Sequence, residues 1–337
     1  MSTVRLVRRL PAALSHSTSS PVLASLATRT TAKGALVSTN SRMASSASSA
    51  AGKNNWSAAQ YLKFDSERTR AVHDLVARVP LPGGKLPATT DDDASPPLRI
   101  IDLGCGPGNS TAVLVQRFTG AHVSGVDASP NMIERARAAL PDVDFALADL
   151  RTYAGQPTDD APADLLLANA VFQWLRLPDR LPTVLRLLAT QRPGGVFAYQ
   201  VPDNKDEPSH RAMGEVGSGK APGTSADDVW VPFLRDLSDR DPIETPETIY
   251  DALILHCTAV DVWHTAYYHA LPGGVADIVE WLKGSGLQPF VNALPEGPVR
   301  DAYLDAYKTR LADFYKPRAD GSVLIRYPRL FVVAVKK

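Results

Sequence analysis

Short apolar runs that alternate with helix-forming stretches dominate the chain from residue 98 onward. Residues 98–103 form an apolar run with the length and character of a buried strand, and similar runs occur at residues 122–126, 143–147, 163–168 and 196–201. Helical patterns separate most of these runs. This alternation predicts an α/β fold, in which a mainly parallel sheet is covered by helices on both faces.

The second half of the chain is less regular. Helical patterns occur at residues 245–255, 275–283 and 299–314, and strand patterns occur at residues 260–268 and 329–335. From residue 207 to about residue 250 the pattern is too loose to assign an element with the same clarity, and the role of residues 217–244 is not given by the sequence. We therefore predict a seven-stranded, mostly parallel sheet with an antiparallel last strand. Insertions at about residues 205–258 and 270–322 are expected to form a helical cap.

Three glycines at alternate positions follow the first strand, in the segment Asp102-x-Gly104-x-Gly106-x-Gly108. Glycine lacks a Cβ atom, so the backbone can turn tightly there and approach a ligand closely. Asn109 or Ser110 is predicted to cap the next helix, whose free N–H groups favour an anionic ligand group. The spacing differs from that of dinucleotide-binding and P-loop motifs, which disfavours a dehydrogenase.

Polar residues end the next three predicted strands. Asp127 lies 25 positions after Asp102, where a carboxylate can accept hydrogen bonds from both hydroxyls of a ribose. Asp149 follows the third strand and is a candidate acceptor for an adenine amino group, and Asn169 ends the fourth strand. Each residue alone could simply cap a helix. Together they predict a site for a nucleoside-containing cofactor.

Charge is distributed unevenly, although 36 Lys and Arg balance 36 Asp and Glu. Eight basic residues precede Asp65, the first acidic residue, so residues 65–337 hold 28 basic against 36 acidic residues. This acidic body disfavours nucleic acid as a partner. No apolar run has the length needed to span a bilayer, and Cys105 and Cys257 provide no disulfide framework.

Residues 1–54 are rich in Arg, Ser, Thr and Ala and contain no acidic residue. Arg5, Arg8 and Arg9 lie among apolar residues in a pattern typical of the basic amphipathic helix of a mitochondrial presequence. We therefore predict a disordered extension that directs the protein to the mitochondrial matrix. The alternatives are a disordered tail on a cytoplasmic protein and an upstream extension of the reading frame, with Met43 as the working start.

Further motifs, distributed from residue 55 to the C-terminus, match one family. They are Asn55-Trp56, the glycine turn, Asn169-x-x-x-Gln173-Trp174-Leu175, Pro202-Asp203-Asn204, Tyr267-Tyr268-His269, Trp281 and Pro328-Arg329. In these motifs residues 55–337 resemble the trans-aconitate 2-methyltransferases, a family of class I methyltransferases with a Rossmann-like sheet. The resemblance implies S-adenosylmethionine as cofactor. Its predicted binding residues are Asp102, Gly104, Gly106, Gly108, Asp127, Asp149 and Asn169.

The same resemblance implies methylation of one carboxylate of trans-aconitate, a tricarboxylate. Arg329 is then expected to bind a carboxylate, Trp174 to form a wall of the site, and Tyr267, Tyr268 and His269 to donate hydrogen bonds. Successive strand residues face opposite sides of a sheet, so only one of the two tyrosines is expected to reach the substrate. His210 and Lys283 are weaker candidates.

The implied reaction needs neither a general base nor a metal, because a carboxylate is already ionised at neutral pH. We expect a small-molecule substrate, no nucleic-acid or membrane partner, and a monomer. Two alternatives remain open at this point. One is a methyltransferase acting on another small acid or on a secondary metabolite, and the other is a cofactor-binding protein without turnover.

Overall fold

The computed structural model describes residues 65–81, 96–153, 162–235, 237 and 240–337. The predicted N-terminal extension, residues 1–54, lies outside the described residues, and so does the motif Asn55-Trp56. In the described part, no helix is both long enough and apolar enough to cross a membrane.

Seven strands form the sheet within the described residues. They are β1 Arg99–Leu103, β2 His122–Asp127, β3 Asp144–Leu147, β4 Leu165–Asn169, β5 Val196–Pro202, β6 Cys257–Leu271 and β7 Val323–Lys336. The order across the sheet is β3-β2-β1-β4-β5-β7-β6. Strands β1 to β5 pair in parallel, whereas β7 runs antiparallel to both β5 and β6. The predicted fold class and the antiparallel last strand are confirmed.

Ten α-helices and one 3₁₀ helix occur in the described residues. They are α1 Asp65–Ala77, α2 Asn109–Arg117, α3 Pro130–Ala139, the 3₁₀ helix Phe172–Trp174, α4 Leu177–Ala189, α5 Pro208–Gly217, α6 Val231–Leu234, α7 Pro246–Ile254, α8 Val275–Lys283, α9 Gln288–Ala293 and α10 Pro298–Phe314. Side-chain caps define two of the starts. Ser129 accepts a hydrogen bond from Met132 N before α3, and Thr245 accepts one from Thr248 N before α7.

The predicted cap of α2 is wrong. Gly108, in a left-handed conformation with φ of 100°, occupies the N-cap position, and it has no side chain that could bond to the helix. The hydroxyl of Ser110 instead donates to the Asp102 carboxylate at 2.7 Å. The glycine turn leads directly into the helix, so a cap side chain has no place there.

Helices cover both faces of the sheet, as the uninterrupted apolar strands predict. On one face α1 and α2 pack against side chains such as Ile100, Leu165 and Leu167. On the other face α4 and α7 pack against side chains such as Leu166 and Phe197. Burial on both faces explains why β4 and β5 are apolar at consecutive positions.

A separate hydrophobic core lies in the cap, which is built from α5, α6, α8, α9 and α10. Tyr303 donates from its hydroxyl to Met213 O at 3.1 Å, and Tyr307 donates to Ser209 O at 2.7 Å. These bonds join α10 to α5 within a buried interface. The predicted cap range of 205–258 is too wide, because α7 packs on the sheet and β6 begins at Cys257.

Arg180 of α4 fixes the irregular segment 240–244 to that helix. It is buried, and it donates to Pro242 O at 2.5 Å and to Asp241 O at 3.2 Å. It also forms an ion pair of 3.3 Å with Glu244, whose side chain is 9% exposed. A buried charge of this kind is tolerated because its hydrogen-bond partners surround it.

Replacement of Arg180 tests this anchoring. We expect Arg180→Ala to lower the free energy of unfolding by about 3 to 5 kcal/mol, because it leaves Glu244 and the carbonyls of Leu175, Asp241 and Pro242 without their partner. The matched control is Arg176→Ala, which removes an ion pair with Asp241 whose arginine side chain is 57% exposed. That change should cost about 1 kcal/mol or less. Urea denaturation measures both, and equal losses would contradict the anchoring role.

Candidate active site

The glycine turn adopts backbone conformations that favour glycine. Gly104, Gly106 and Gly108 have φ values of +67°, +55° and +100°. A Cβ atom on Gly104 would lie 2.5 Å from Cγ2 of Val171, so the turn packs closely against the segment that follows β4. A Cβ atom on Gly106 would have no heavy atom within 4 Å. The backbone at Gly106 is therefore open to a ligand.

Asp102 lies beneath this turn and is completely buried. Its Oδ2 atom accepts hydrogen bonds from Ser110 Oγ and Thr111 Oγ1, both at 2.7 Å. Burial raises the pKa of Asp102 to about 6, although the two hydroxyl bonds oppose that rise. Oδ1 has no partner among the described residues. Asp102 thus ties the start of α2 to the end of β1.

Asp127, at the end of β2, binds the turn from the side. Its Oδ2 atom accepts a hydrogen bond from Gly106 N at 3.0 Å, and its Oδ1 atom accepts one from Ser129 N at 2.8 Å. Burial raises the pKa of Asp127, while these backbone bonds lower it. The carboxylate is held at the edge of the sheet, next to the open backbone of Gly106.

Asp149 is more exposed and pairs with a neighbour. Arg151 donates to both of its oxygens at 2.5 to 3.0 Å, and this hydrogen bonding lowers the pKa of Asp149. The carboxylate lies just beyond β3, which is separated from β4 by the two strands β2 and β1. In the structure it is an ion-pair member as well as a candidate ligand residue.

A pocket lies at the carboxyl ends of β4 and β5, where the cap meets the sheet. The residues lining it are Asn169, Ala170, Gln173, Trp174, Pro202, Arg240, Trp281, Gly284, Ser285, Gly286, Tyr327 and Arg329. These described lining residues include two arginines, three aromatic residues and no acidic residue. Ala170 has a φ of +57°, and its carbonyl accepts a hydrogen bond from Gln173 Nε2 at 2.6 Å.

A hydrogen-bond chain joins this pocket to the end of β4. Arg329 Nη1 donates to Gln200 Oε1 at 3.0 Å, and Gln200 Nε2 donates to Asn169 Oδ1. Gln200 is completely buried, and the Arg329 guanidinium lies over the Tyr327 ring at 5.2 Å. Two predicted site residues, Asn169 and Arg329, are thereby fixed relative to each other through a residue that the sequence did not single out.

The three predicted hydrogen-bond donors of β6 occupy different environments. Tyr268 is 60% exposed on the face of the sheet opposite to Tyr267 and is not a lining residue of the pocket. Tyr267 is buried, and its hydroxyl donates to Asp74 of α1 at 2.5 Å. Burial and this bond raise the pKa of Tyr267. His269 is buried against Trp281, with ring centroids 4.7 Å apart.

His269 therefore packs against Trp281, which lines the pocket, and is not itself a lining residue. Tyr267 links the sheet to α1 through its hydrogen bond to Asp74. The weaker candidate His210 is buried behind the pocket, where its ring lies 6.1 Å from that of Tyr327. Burial lowers the pKa of His210 well below its usual value, so the ring is neutral at neutral pH. Lys283 pairs with Glu280 at 2.8 Å on the surface of α8.

Sequence reasoning missed several lining residues. Tyr327 was detectable, because it lies two positions before Arg329 on a strand and alternation sends both side chains to the same face. Arg240 lies in the segment that has no helical or strand pattern, so nothing in the local sequence distinguished it. The glycine-rich segment 284–286 follows a helix in the cap, and only the tertiary fold brings it to the sheet.

Comparison with known proteins supports the same assignment. A family model for a methyltransferase domain matches residues 100–195. A trans-aconitate 2-methyltransferase from Rhodopseudomonas palustris is 46% identical over 283 residues, which cover 84% of this chain and 99% of that protein. The protein of the same name from Rhizobium rhizogenes is 46% identical over 282 residues, with coverage of 84% and 99%.

The chain belongs to the trans-aconitate 2-methyltransferase family. A more remote likeness, at 17% identity and a TM-score of 0.41, links it to phosphoethanolamine N-methyltransferase 2 of Haemonchus contortus in complex with S-adenosylmethionine. That likeness covers 79% of this chain and 52% of the other.

The cofactor of this methyltransferase is S-adenosylmethionine, and the residues around the glycine turn fit it. The space over Gly106 can receive part of the ligand without displacing any protein atom, because a Cβ there would contact nothing within 4 Å. Asp127 lies beside that space and has oxygen lone pairs left for ribose hydroxyls. In the described part of the chain, no group of three metal-ligating side chains lies close enough together to hold a metal ion.

Substitution at Gly106 tests the cofactor site. Gly106→Ala adds a methyl group to the open space, and we expect it to weaken S-adenosylmethionine binding by about tenfold or more, as isothermal titration calorimetry can measure. The control is Gly194→Ala, because Gly194 has a φ of +85°, and a Cβ there would also have nothing within 4 Å. Both variants carry a similar backbone strain of about 1 to 2 kcal/mol. Equal affinities in the two variants would contradict the site.

The pKa of Asp102 predicts a pH dependence of stability. The pKa is about 6 in the folded protein against a usual 3.8. The contribution of Asp102 to the free energy of unfolding is therefore fully present below pH 3.8 and is lost as the pH rises through 6. The difference corresponds to about 3 kcal/mol. Part of this loss occurs below pH 4, so we expect wild-type protein to lose about 2 kcal/mol more unfolding free energy between pH 4 and pH 7 than Asp102→Asn. Parallel stability profiles from urea denaturation would contradict this.

Proposed function

We propose that the protein transfers the methyl group of S-adenosylmethionine to one carboxylate of trans-aconitate, giving the monomethyl ester and S-adenosylhomocysteine. The relatives that share 46% of its residues over almost their entire length are named for this substrate. The observation that carries the proposal is the pocket beside Asn169, whose described lining contains Arg240 and Arg329 and no acidic residue. Such a pocket attracts a small polyanion, although residues 65–337 are acidic as a whole.

Arg329 is the best-placed carboxylate ligand. Its guanidinium is buried and is oriented by Gln200 and by the Tyr327 ring. A guanidinium can form two parallel hydrogen bonds to one carboxylate, which fixes the direction of the bound acid as well as its position. Because Gln200 also contacts Asn169, the acid bound at Arg329 is held in register with the cofactor site.

Aromatic side chains complete the pocket. Trp174 lies on the 3₁₀ helix after β4, and Trp281 lies on α8 of the cap. Both line the pocket and reduce the water around a bound carboxylate. Removal of water matters because a solvated carboxylate is a poor nucleophile, and a closed site also strengthens the electrostatic attraction to the arginines.

The reaction is an in-line displacement at a methyl carbon. Bound S-adenosylmethionine supplies a methyl group on a positively charged sulfur, which makes the thioether a good leaving group. A carboxylate oxygen forms the new C–O bond as the C–S bond breaks, and no proton moves. The protein's contribution is to hold the oxygen about 3 Å from the methyl carbon and in line with the sulfur. Neither Cys105 nor a histidine is needed as nucleophile or base.

In the first alternative, a different small acid would bind in this same pocket and accept the methyl group by the same reaction. Only the shape of the acceptor would differ. The alternative of a cofactor-binding protein without turnover is disfavoured by the pocket itself, because a cofactor-binding role alone does not require two arginines in a second cavity at Asn169.

The decisive assay is transfer of labelled methyl from S-adenosylmethionine to trans-aconitate, cis-aconitate, citrate and itaconate, with protein that begins near Met43. We expect trans-aconitate to be preferred by kcat/KM, with its monomethyl ester as product. Preference for another acid would reject the substrate and keep the reaction. Cofactor binding without transfer to any acid would reject the proposed function.

A further inference from the structure

The segment from Arg240 to Glu244 has no regular secondary structure, yet side chains from other elements hold it in place. Lys205 Nζ donates to the carbonyl of Arg240 at 3.0 Å, and Asn204 Oδ1 accepts a hydrogen bond from Arg240 Nη2 at 2.9 Å. Asn204 is buried and lies two residues after the end of β5. The sheet therefore positions both the main chain and the guanidinium of Arg240.

The residues after Arg240 are fixed from α4. Arg180 donates to the carbonyls of Asp241 and Pro242, and Leu177 N donates to Asp241 Oδ2 at 2.8 Å. These bonds bind the segment along its length. An irregular segment with this many side-chain anchors has little conformational freedom left to lose when a ligand binds. Arg240 is therefore preorganised.

Arg240 and Arg329 reach the pocket from different parts of the fold. Arg240 comes from the anchored segment, is held by Asn204, and lies over the Trp174 ring at 5.8 Å. Arg329 comes from β7, is held by Gln200, and lies over the Tyr327 ring at 5.2 Å. Two guanidinium groups with separate supports suit two separate anionic groups better than one.

We propose that Arg240 and Arg329 bind two different carboxylates of the acceptor acid and leave its third carboxylate for methyl transfer. This inference rests on the proposed function and adds which two residues hold the carboxylates that do not react. Its chemical reason is that a guanidinium engages one lone pair on each oxygen of a carboxylate and offsets its negative charge, which weakens that carboxylate as a nucleophile. The reacting carboxylate is the one that neither arginine holds.

Acids that each lack one carboxylate of trans-aconitate test this assignment. Itaconate, mesaconate and glutaconate retain two of the three carboxylates, and each lacks a different one. We would measure their binding, and that of trans-aconitate, to protein saturated with S-adenosylhomocysteine by calorimetry. Binding does not require turnover, so an analogue without the reacting carboxylate is still informative. The proteins are wild type, Arg240→Gln, Arg329→Gln and, as control, Arg235→Gln, which changes an exposed arginine that directly follows α6 and does not line the pocket.

We expect Arg240→Gln to weaken trans-aconitate binding by about 10- to 100-fold, and to weaken two of the analogues similarly. It should leave the third analogue, which lacks the carboxylate bound by Arg240, almost unchanged. Arg329→Gln should spare a different analogue. Arg235→Gln should match wild type throughout, and Arg240→Lys should restore part of the affinity if charge is what matters.

Two results would overturn the inference. One is that both arginine variants spare the same analogue, and the other is that Arg240→Gln binds every acid as wild type does. Failure of the proposed function has a different signature, because the wild-type protein would then transfer no methyl group to trans-aconitate. Absence of acid binding to wild-type protein would reject both.

Discussion

The antiparallel pairing of β7 with β5 is the constraint on which the acceptor pocket depends. This pairing places Arg329 opposite Pro202, the last residue of β5. Because β7 runs against the other strands, residues at its beginning reach the edge where the parallel strands end. A parallel last strand would bring its carboxyl end to that edge instead, and Arg329 would lie at the far side of the sheet.

The cofactor turn depends on a different feature of the same sheet. The chain leaves β1 toward β2 and β3 on one side, and it returns to β4 on the other side of β1. Ligands of open α/β sheets bind where the order reverses in this way, because the two loops diverge and leave a crevice. The glycine turn after β1 and the segment after β4 form that crevice, and the closeness of Gly104 to Val171 marks where they meet. Asn169 and Ala170 connect the crevice to the acceptor pocket.

The cap contributes the remaining wall and depends on side chains more than on a backbone pattern. Trp281 is held in the cap core, and residues 284–286, which follow its helix, line the pocket together with the sheet residues Tyr327 and Arg329. Gly286 packs against α5 of the cap, since a Cβ there would lie 2.9 Å from His210 Nε2. Arg180 and Asn204 then fix the irregular segment that carries Arg240. The cap thus closes the pocket over the edge of the sheet where Arg329 supplies a positive charge.

The sequence alone determined the fold class and the cofactor turn, because both follow from local chemistry. Alternating apolar and helical stretches encode the parallel strands, and Gly104, Gly106 and Gly108 have the positive φ values that the turn requires. Arg329 was recognisable from the motif around it. Tertiary structure decided which side chains share the pocket. Gln200 lies in the buried strand β5, and the strand register brings it to the site. Arg240 lies in a stretch without a sequence pattern, and hydrogen bonds from Arg180 of α4 and to Asn204 after β5 bring it there. The structure also decided that Tyr268, and not Tyr267, lies on the exposed face. Alternation in the sequence shows that the two side chains face opposite ways, but tertiary packing decides which of the two faces is buried.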